Sequence, residues 1–391
     1  MAIQICVPKE VRKDEQRVAL VPDTVKRLAT EGLLINIQSG AGELVGYTDA
    51  DHENASIVAD SKELLGKADI TLMVNPATNE QIEQLKDGSV LIGYMDPHTD
   101  LQRFSKLKNK NISAFSMELI PRISRAQAMD ALSSQASIAG YKAVLMGADA
   151  LSKGIPMMTT SAGTVRPAKF VIMGSGVAGL QAIATAKRLG AVVYASDVRK
   201  SAAEQIESVG GRFIEVEGMD DFEDESGYAK PLTPEFIQKV NDTVCEVAAE
   251  ADVIVTTARI FGRPAPITVP ASAVASFKRG SVIVDMNADV GGNCELTQPG
   301  EVITTENGVI IIGTTNLPGL LASTASMLYS NNLTTFVATL VKEGELTLDA
   351  EDDILYGSPE GDDFHVPGMG GVLICSGGEV DSNQSRIKEA L

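Results

Sequence analysis

Apolar residues along this chain follow two rhythms. Short unbroken runs at Ile3–Val7, Leu34–Ile37, Ile70–Val74, Val90–Gly93 and Ile112–Phe115 alternate with the amphipathic stretches Pro22–Glu31, Ser61–Leu65, Glu80–Leu85 and Leu101–Leu107. The runs predict buried strands, and the stretches, where apolar residues recur every three or four positions, predict helices. Regular alternation of the two predicts a parallel sheet covered on both faces. The alternation resumes at Lys169–Met173 and continues through Ala191–Ser196, Glu235–Ala249, Val253–Thr257, Ser281–Asp285 and Val309–Gly313. Two long helical patterns, Ala126–Leu151 and Leu317–Leu340, flank this second set. At the standard rise the first would span ~39 Å, which suits a connector between domains. The second is expected to return the chain to the first domain, with Gly371–Ile374 as a further strand.

The second set carries a specific motif. Gly174-Ser175-Gly176-Val177-Ala178-Gly179 follows an apolar strand and opens a helix, and a second strand ends in Asp197, eighteen residues beyond Gly179. Gly174 permits the tight turn, Gly176 lets backbone approach a pyrophosphate, and Gly179 lets helix and strand pack closely. The helix start offers free N–H groups to phosphates. Asp197 can accept hydrogen bonds from ribose hydroxyls and would repel a 2′-phosphate, so NAD(H) is expected over NADP(H). Val198 follows it, and Arg199 could neutralise a phosphate but is read as covering the adenine face. An ordinary βαβ unit with a glycine turn would share part of the pattern, but not all of it at this spacing.

The expected fold is α/β, with two Rossmann-like doubly wound domains of parallel sheet joined by long helices. Residues 1–125 with 318–391 form a discontinuous first domain, and 126–317 the dinucleotide-binding domain. Within the latter, the acidic stretch 216–233 carries Gly, Pro and Asp and is read as a mobile loop or an idle surface loop.

Charge and cysteine content narrow the partners. A net charge of −19 argues against nucleic acid or an anionic membrane surface as a direct partner. Cys6, Cys245, Cys294 and Cys375 are scattered, so neither a metal site nor a disulfide framework is expected, and a reducing cytoplasm fits. No run is long and apolar enough to suggest a membrane span.

Together the segments resemble the NAD(H)-binding component of proton-translocating nicotinamide nucleotide transhydrogenase. The chain opens with Val7-Pro8-Lys9-Glu10 and Gln16-Arg17-Val18-Ala19, as that family does. The most specific match is Pro121-Arg122-Ile123-Ser124-Arg125-Ala126-Gln127-Ala128-Met129-Asp130, continuing to Ser133. The resemblance implies that Arg122, Gln127, Asp130 and Ser133 serve the nicotinamide end. Read alone, the same residues could be a capped helix start. Gly227-Tyr228-Ala229-Lys230 resembles the family's closing loop, and Thr256-Thr257-Ala258 its third nucleotide-contacting strand end. Gly227, Tyr228, Ala258 and Arg259 thus join the expected NAD(H) contacts, with Tyr228 also placed among the catalytic groups beside Arg122, Gln127 and Asp130. Two departures stand out: Arg259 replaces a usually apolar residue, and Asn287-Ala288-Asp289 a more usual Ala-Ala-Glu.

The resemblance further implies NADP(H) on a partner component, a membrane proton-channel subunit, a homodimer, and a cytoplasmic location peripheral to the inner membrane. Alanine dehydrogenase resembles the chain almost as well in plan. Oxidising an amino acid moves a proton as well as a hydride, so it needs a titratable group beside the substrate. In that relative a Lys and a His serve, and their places fall here at Asn75 and Asp96, while Arg17 and Asp289 match it. Transfer between two nicotinamides needs no acid or base, only two rings brought together without water. A non-catalytic NAD-binding module is the third reading; it would keep Gly174, Gly176 and Asp197 but need no polar turn at the nicotinamide.

Overall fold

Buried aliphatic runs become the inner strands of two separate sheets in the computed structural model, which describes residues 2–97, 100, 102–219, 233–260, 263–349, 351–356, 371–381 and 384. Residues 1–135 and 319–391 make one compact unit, and residues 136–318 the other.

The first unit has an eight-stranded sheet. In spatial order the strands are Glu379–Val380, Leu373–Ser376, Ser113–Ser116, Val90–Gly93, Ile70–Leu72, Gln4–Val7, Leu34–Gln38 and Ala55–Val58. The six N-terminal strands are parallel, and Leu373–Ser376 adds antiparallel to Ser113–Ser116. Ile70–Leu72, Val90–Gly93 and Ser113–Ser116 are buried along their whole length, as strands covered on both faces must be. The helix Ala322–Leu340 delivers Tyr329, Leu333, Phe336, Val337 and Leu340 to the core formed by Ile5, Val7, Ile35 and Phe115. Phe336 meets Phe115 edge-on at 5.6 Å.

The second unit has seven strands in the order Arg212–Phe213, Val192–Ser196, Lys169–Met173, Val253–Thr256, Val282–Asp285, Ile310–Ile312 and Val302–Thr304. All pairs are parallel except the last. The chain winds outward in one direction from Lys169–Met173, then returns to add Val253–Thr256 on its other side. Such a reversal leaves a crevice at the carboxyl ends of these two strands, where α/β sheets bind ligands.

Three expectations need correction. The first long helix does not run unbroken from Ala126: a 3-10 turn covers Ser124–Met129 and the α-helix is Ala131–Ala150. Asp130, with ψ 88°, interrupts the path, and its carboxylate accepts from Ser133 N at 2.8 Å and Ser133 Oγ at 2.6 Å, an N-cap arrangement. The second long helix likewise starts with a 3-10 turn, Pro318–Leu321. The first unit also reaches residue 135, ten beyond the expected boundary, because Gln135 Oε1 accepts from Arg17 and its Nε2 donates to Ala325 O within that unit. The edge strand Ala55–Val58 and the hairpin of Met158–Thr160 with Gly163–Val165 were not anticipated; both are largely exposed and lack an apolar run.

Candidate functional site

The crevice of the second unit is built by three strand ends. At the first, Gly174 adopts φ +102°, a region that side chains rarely tolerate. Gly176 is the N-cap of the helix Val177–Arg188, and no side chain caps that end. A Cβ on Gly176 would meet nothing within 4 Å, so an approaching group reaches bare backbone there. Uncapped N–H groups at a helix start, together with the helix dipole, favour phosphate. A Cβ on Gly179 would instead strike the Gly174 carbonyl, so this glycine serves packing. The residues therefore suit the pyrophosphate of a dinucleotide.

At the second strand end stands Asp197, its side chain only 9% exposed. Oδ2 accepts from Ser175 N at 3.0 Å and Ser175 Oγ at 2.7 Å, while Oδ1 accepts from Arg199 N and Nε, each at 3.0 Å. Burial pushes this carboxyl upward, but hydrogen bonds and charge from Arg199, with Ser175, outweigh it and hold the pKa below the usual range. Asp197 is thus an anion at neutral pH, and Arg199 is turned toward it.

The third strand end supplies Thr257, Ala258 and Arg259. Thr257 Oγ1 donates to Met173 O at 3.0 Å and so ties this strand to the fingerprint strand. The Ala258 carbonyl receives Asn287 Nδ2 at 3.0 Å and Asn293 Nδ2 at 2.7 Å. Beneath lies Asp285, fully buried, with Thr256 Oγ1, Thr297 Oγ1 and the backbone N–H groups of Asn287, Asn293 and Cys294 all donating to it. Five donors satisfy this carboxylate without a cation, which explains how it is tolerated there. Asp285, Asn293 and Ser175 were missed in the sequence, where nothing distinguishes a strand-end Asp that supports a loop from one that faces solvent. The two departures from the family pattern meet: Arg259 Nη1 pairs with Asp289 Oδ2 at 3.3 Å.

The resulting cleft encloses about 370 Å³. Gly174, Gly176, Asp197, Val198, Arg199, Ala258 and Arg259 line it, with Ser175, Asn241 and Thr257. Val177 and Gly179 do not: Val177 is exposed on the helix and Gly179 is buried behind the turn. In the first unit, Arg122 and Gln127 are exposed on the turn that precedes Asp130, and Asp130 and Ser133 are half-buried and bonded to each other. Gly227, Tyr228 and His98 lie outside the described residues, as do residues 220–232 of the expected mobile loop.

Comparison with known proteins agrees with both halves of this architecture. Residues 6–139 match the alanine dehydrogenase/PNT N-terminal domain, and residues 143–359 the C-terminal domain. The chain is 42% identical over 367 residues to an NAD(P) transhydrogenase subunit alpha chain of Rhodospirillum rubrum, covering 91% of this chain and 95% of that one. It is 28% identical over 359 residues to alanine dehydrogenase of Halomonas elongata, covering 90% and 91% respectively. The crystal structure of transhydrogenase from Sinorhizobium meliloti superposes with a TM-score of 0.85 at 38% identity, covering 96% of this chain and 99% of that one. With both family domains matched in order along the sequence, the chain belongs to the alanine dehydrogenase/PNT family.

Proposed function

We propose that this chain is the NAD(H)-binding component of a proton-translocating transhydrogenase, passing hydride between NAD(H) and an NADP(H) held on a partner component. The observation that carries this reading is what fills the other crevice, at the strand-order reversal of the first unit. There Asn75 Nδ2 donates to Glu10 and Glu15, each at 3.0 Å. Arg17, 7% exposed, gives Nε and Nη2 to Glu15 at 2.7 Å and Nη1 to Gln135 at 3.0 Å. An amino-acid dehydrogenase needs a cation for the substrate carboxylate and a group that takes a proton. Here the guanidinium is already engaged by Glu15 and Gln135, and Asn75 and Asp96 stand where the alanine dehydrogenases resembled here carry Lys and His. That crevice suits no 2-oxo acid, which weighs against the dehydrogenase reading.

When bound, the nicotinamide ring supplies or receives the hydride; this chain has to hold and orient it and exclude water. Gly174 and Gly176 would hold the pyrophosphate at the helix start, and Asp197 the ribose of the adenosine. Arg199 would leave Asp197 to cover the adenine. Arg122, Asp130 and Ser133 would fix the nicotinamide end, and Gln127 would reach toward the acceptor. A purely binding module has no use for that polar turn.

The partner components would provide the membrane domain and the NADP(H) site, since no helix among the described residues is long and apolar enough to cross a membrane. The chain would then lie on the cytoplasmic face. A homodimer is supported by the hairpin Met158–Thr160 with Gly163–Val165, all six strand residues of which are exposed. A lone two-stranded ribbon is marginal in water, and its exposed Met158 and Val165 with neighbouring Met157 give a partner something apolar to cover. The deciding assay is hydride transfer from NADH to thio-NADP⁺ in membranes carrying the other components; absence of transfer would refute the reading.

A further inference from the structure

The turn at 122–130 has little to hold it by itself. Arg122, Ser124, Arg125, Gln127 and Ala128 are exposed, and a 3-10 turn that breaks at Asp130 has poor internal hydrogen-bond geometry. Its anchor comes from far along the sequence. Asn332, 7% exposed on the helix Ala322–Leu340, donates Nδ2 to the Ala128 carbonyl at 2.8 Å. Its Oδ1 accepts from Ser134 Oγ at 2.7 Å. One bond lies before the break at Asp130 and the other after it, so a single buried carboxamide sets the angle between turn and helix. Donor and acceptor in one short head are what this requires, and neither Asp nor Leu offers both. Tyr94 Oη adds a third tie, to the Ala131 carbonyl at 3.1 Å.

We propose that Asn332 is a positioning residue for hydride transfer, acting through Ala128 on the adjacent Gln127. The proposal rests on the reading that this turn serves the transfer. Gln127 is exposed, so its place is fixed by its backbone, and the Ala128 carbonyl is the nearest backbone atom held by a buried side chain. A shift of about 1 Å at a group that orients a reactant can cost roughly 100-fold in rate.

The test compares Asn332→Ala, Gln127→Asn and the double variant by transfer from NADH to thio-NADP⁺ in membranes with the partner components, alongside thermal unfolding of each chain. Asn332→Ala should lower kcat by about tenfold or more while KM for NADH stays within about twofold, because uniform binding is untouched. If Asn332 acts through Gln127, the double variant should lose no more than about threefold beyond the worse single variant. Parental kcat in Asn332→Ala, or losses that multiply in the double variant, would overturn the proposal. Parental transfer in Gln127→Asn would instead remove the reading on which it rests. Should Asn332→Ala fail to fold, Ser134→Ala, which deletes one arm of the clamp, takes its place in the same comparison with the same outcomes.

Discussion

Asp197 illustrates how much one side chain is asked to do. It must stay charged while 9% exposed, and four donors from Ser175 and Arg199 at 2.7–3.0 Å make that possible. Its folded pKa lies below the unfolded value of about 3.9, so its contribution to stability is present above that pH and fades as pH falls through the folded pKa. In urea unfolding, Asp197→Asn should therefore cost stability at pH 7, with the difference from the parent shrinking below about pH 4; a constant difference would contradict this. An anion here also disfavours a 2′-phosphate, so fluorescence titration should give NADH an affinity at least about tenfold above NADPH, a gap of ~1.4 kcal/mol. Equal affinities would mean that Arg199 cancels the charge of Asp197 rather than shielding it. Gly179 is the packing counterpart: its Cβ would meet the Gly174 carbonyl, backbone against backbone, so Gly179→Ala should destabilise the chain by about 1–3 kcal/mol in the same measurement.

Among the elements, the join at Asp130 is the most informative. Its two bonds to Ser133 cap the helix Ala131–Ala150, and Asp130→Ala should cost ~1 kcal/mol in denaturant unfolding. No change would mean that the ties from Asn332 and Tyr94 alone set the helix start. The same join shows the limit of pattern reading. Apolar spacing runs on through Met129 and Leu132 as if one helix continued, and only the backbone turn at Asp130 shows otherwise. Strands buried on both faces, such as Val90–Gly93 and Val253–Thr256, were legible because burial demands an unbroken apolar run. Ala55–Val58 was not, since only Val58 is buried and an edge strand demands no run. The glycine turn and Asp197 were legible because one local motif fixes their spacing. Asn332 and Asp285 were invisible, because their partners are brought to them by folding: Ala128 lies 204 positions from Asn332.

The molecule as a whole pairs a cleft suited to one dinucleotide with a first-unit crevice closed by its own Arg17–Glu15 pair. If the exposed hairpin joins two copies, sedimentation at micromolar concentration should give the dimer mass, and Val165→Lys should shift it toward monomer; a monomeric parent would remove the homodimer. The central claim is that hydride leaves this chain for a second nicotinamide, not for a small keto acid. Its most direct test supplies the chain with NADH and thio-NADP⁺ in membranes carrying the partner components and, separately, with alanine and NAD⁺. Thio-NADPH should form only when chain and membranes are combined, and alanine should yield no NADH. NADH formation from alanine by the chain alone, without transfer in the combined system, would contradict the claim.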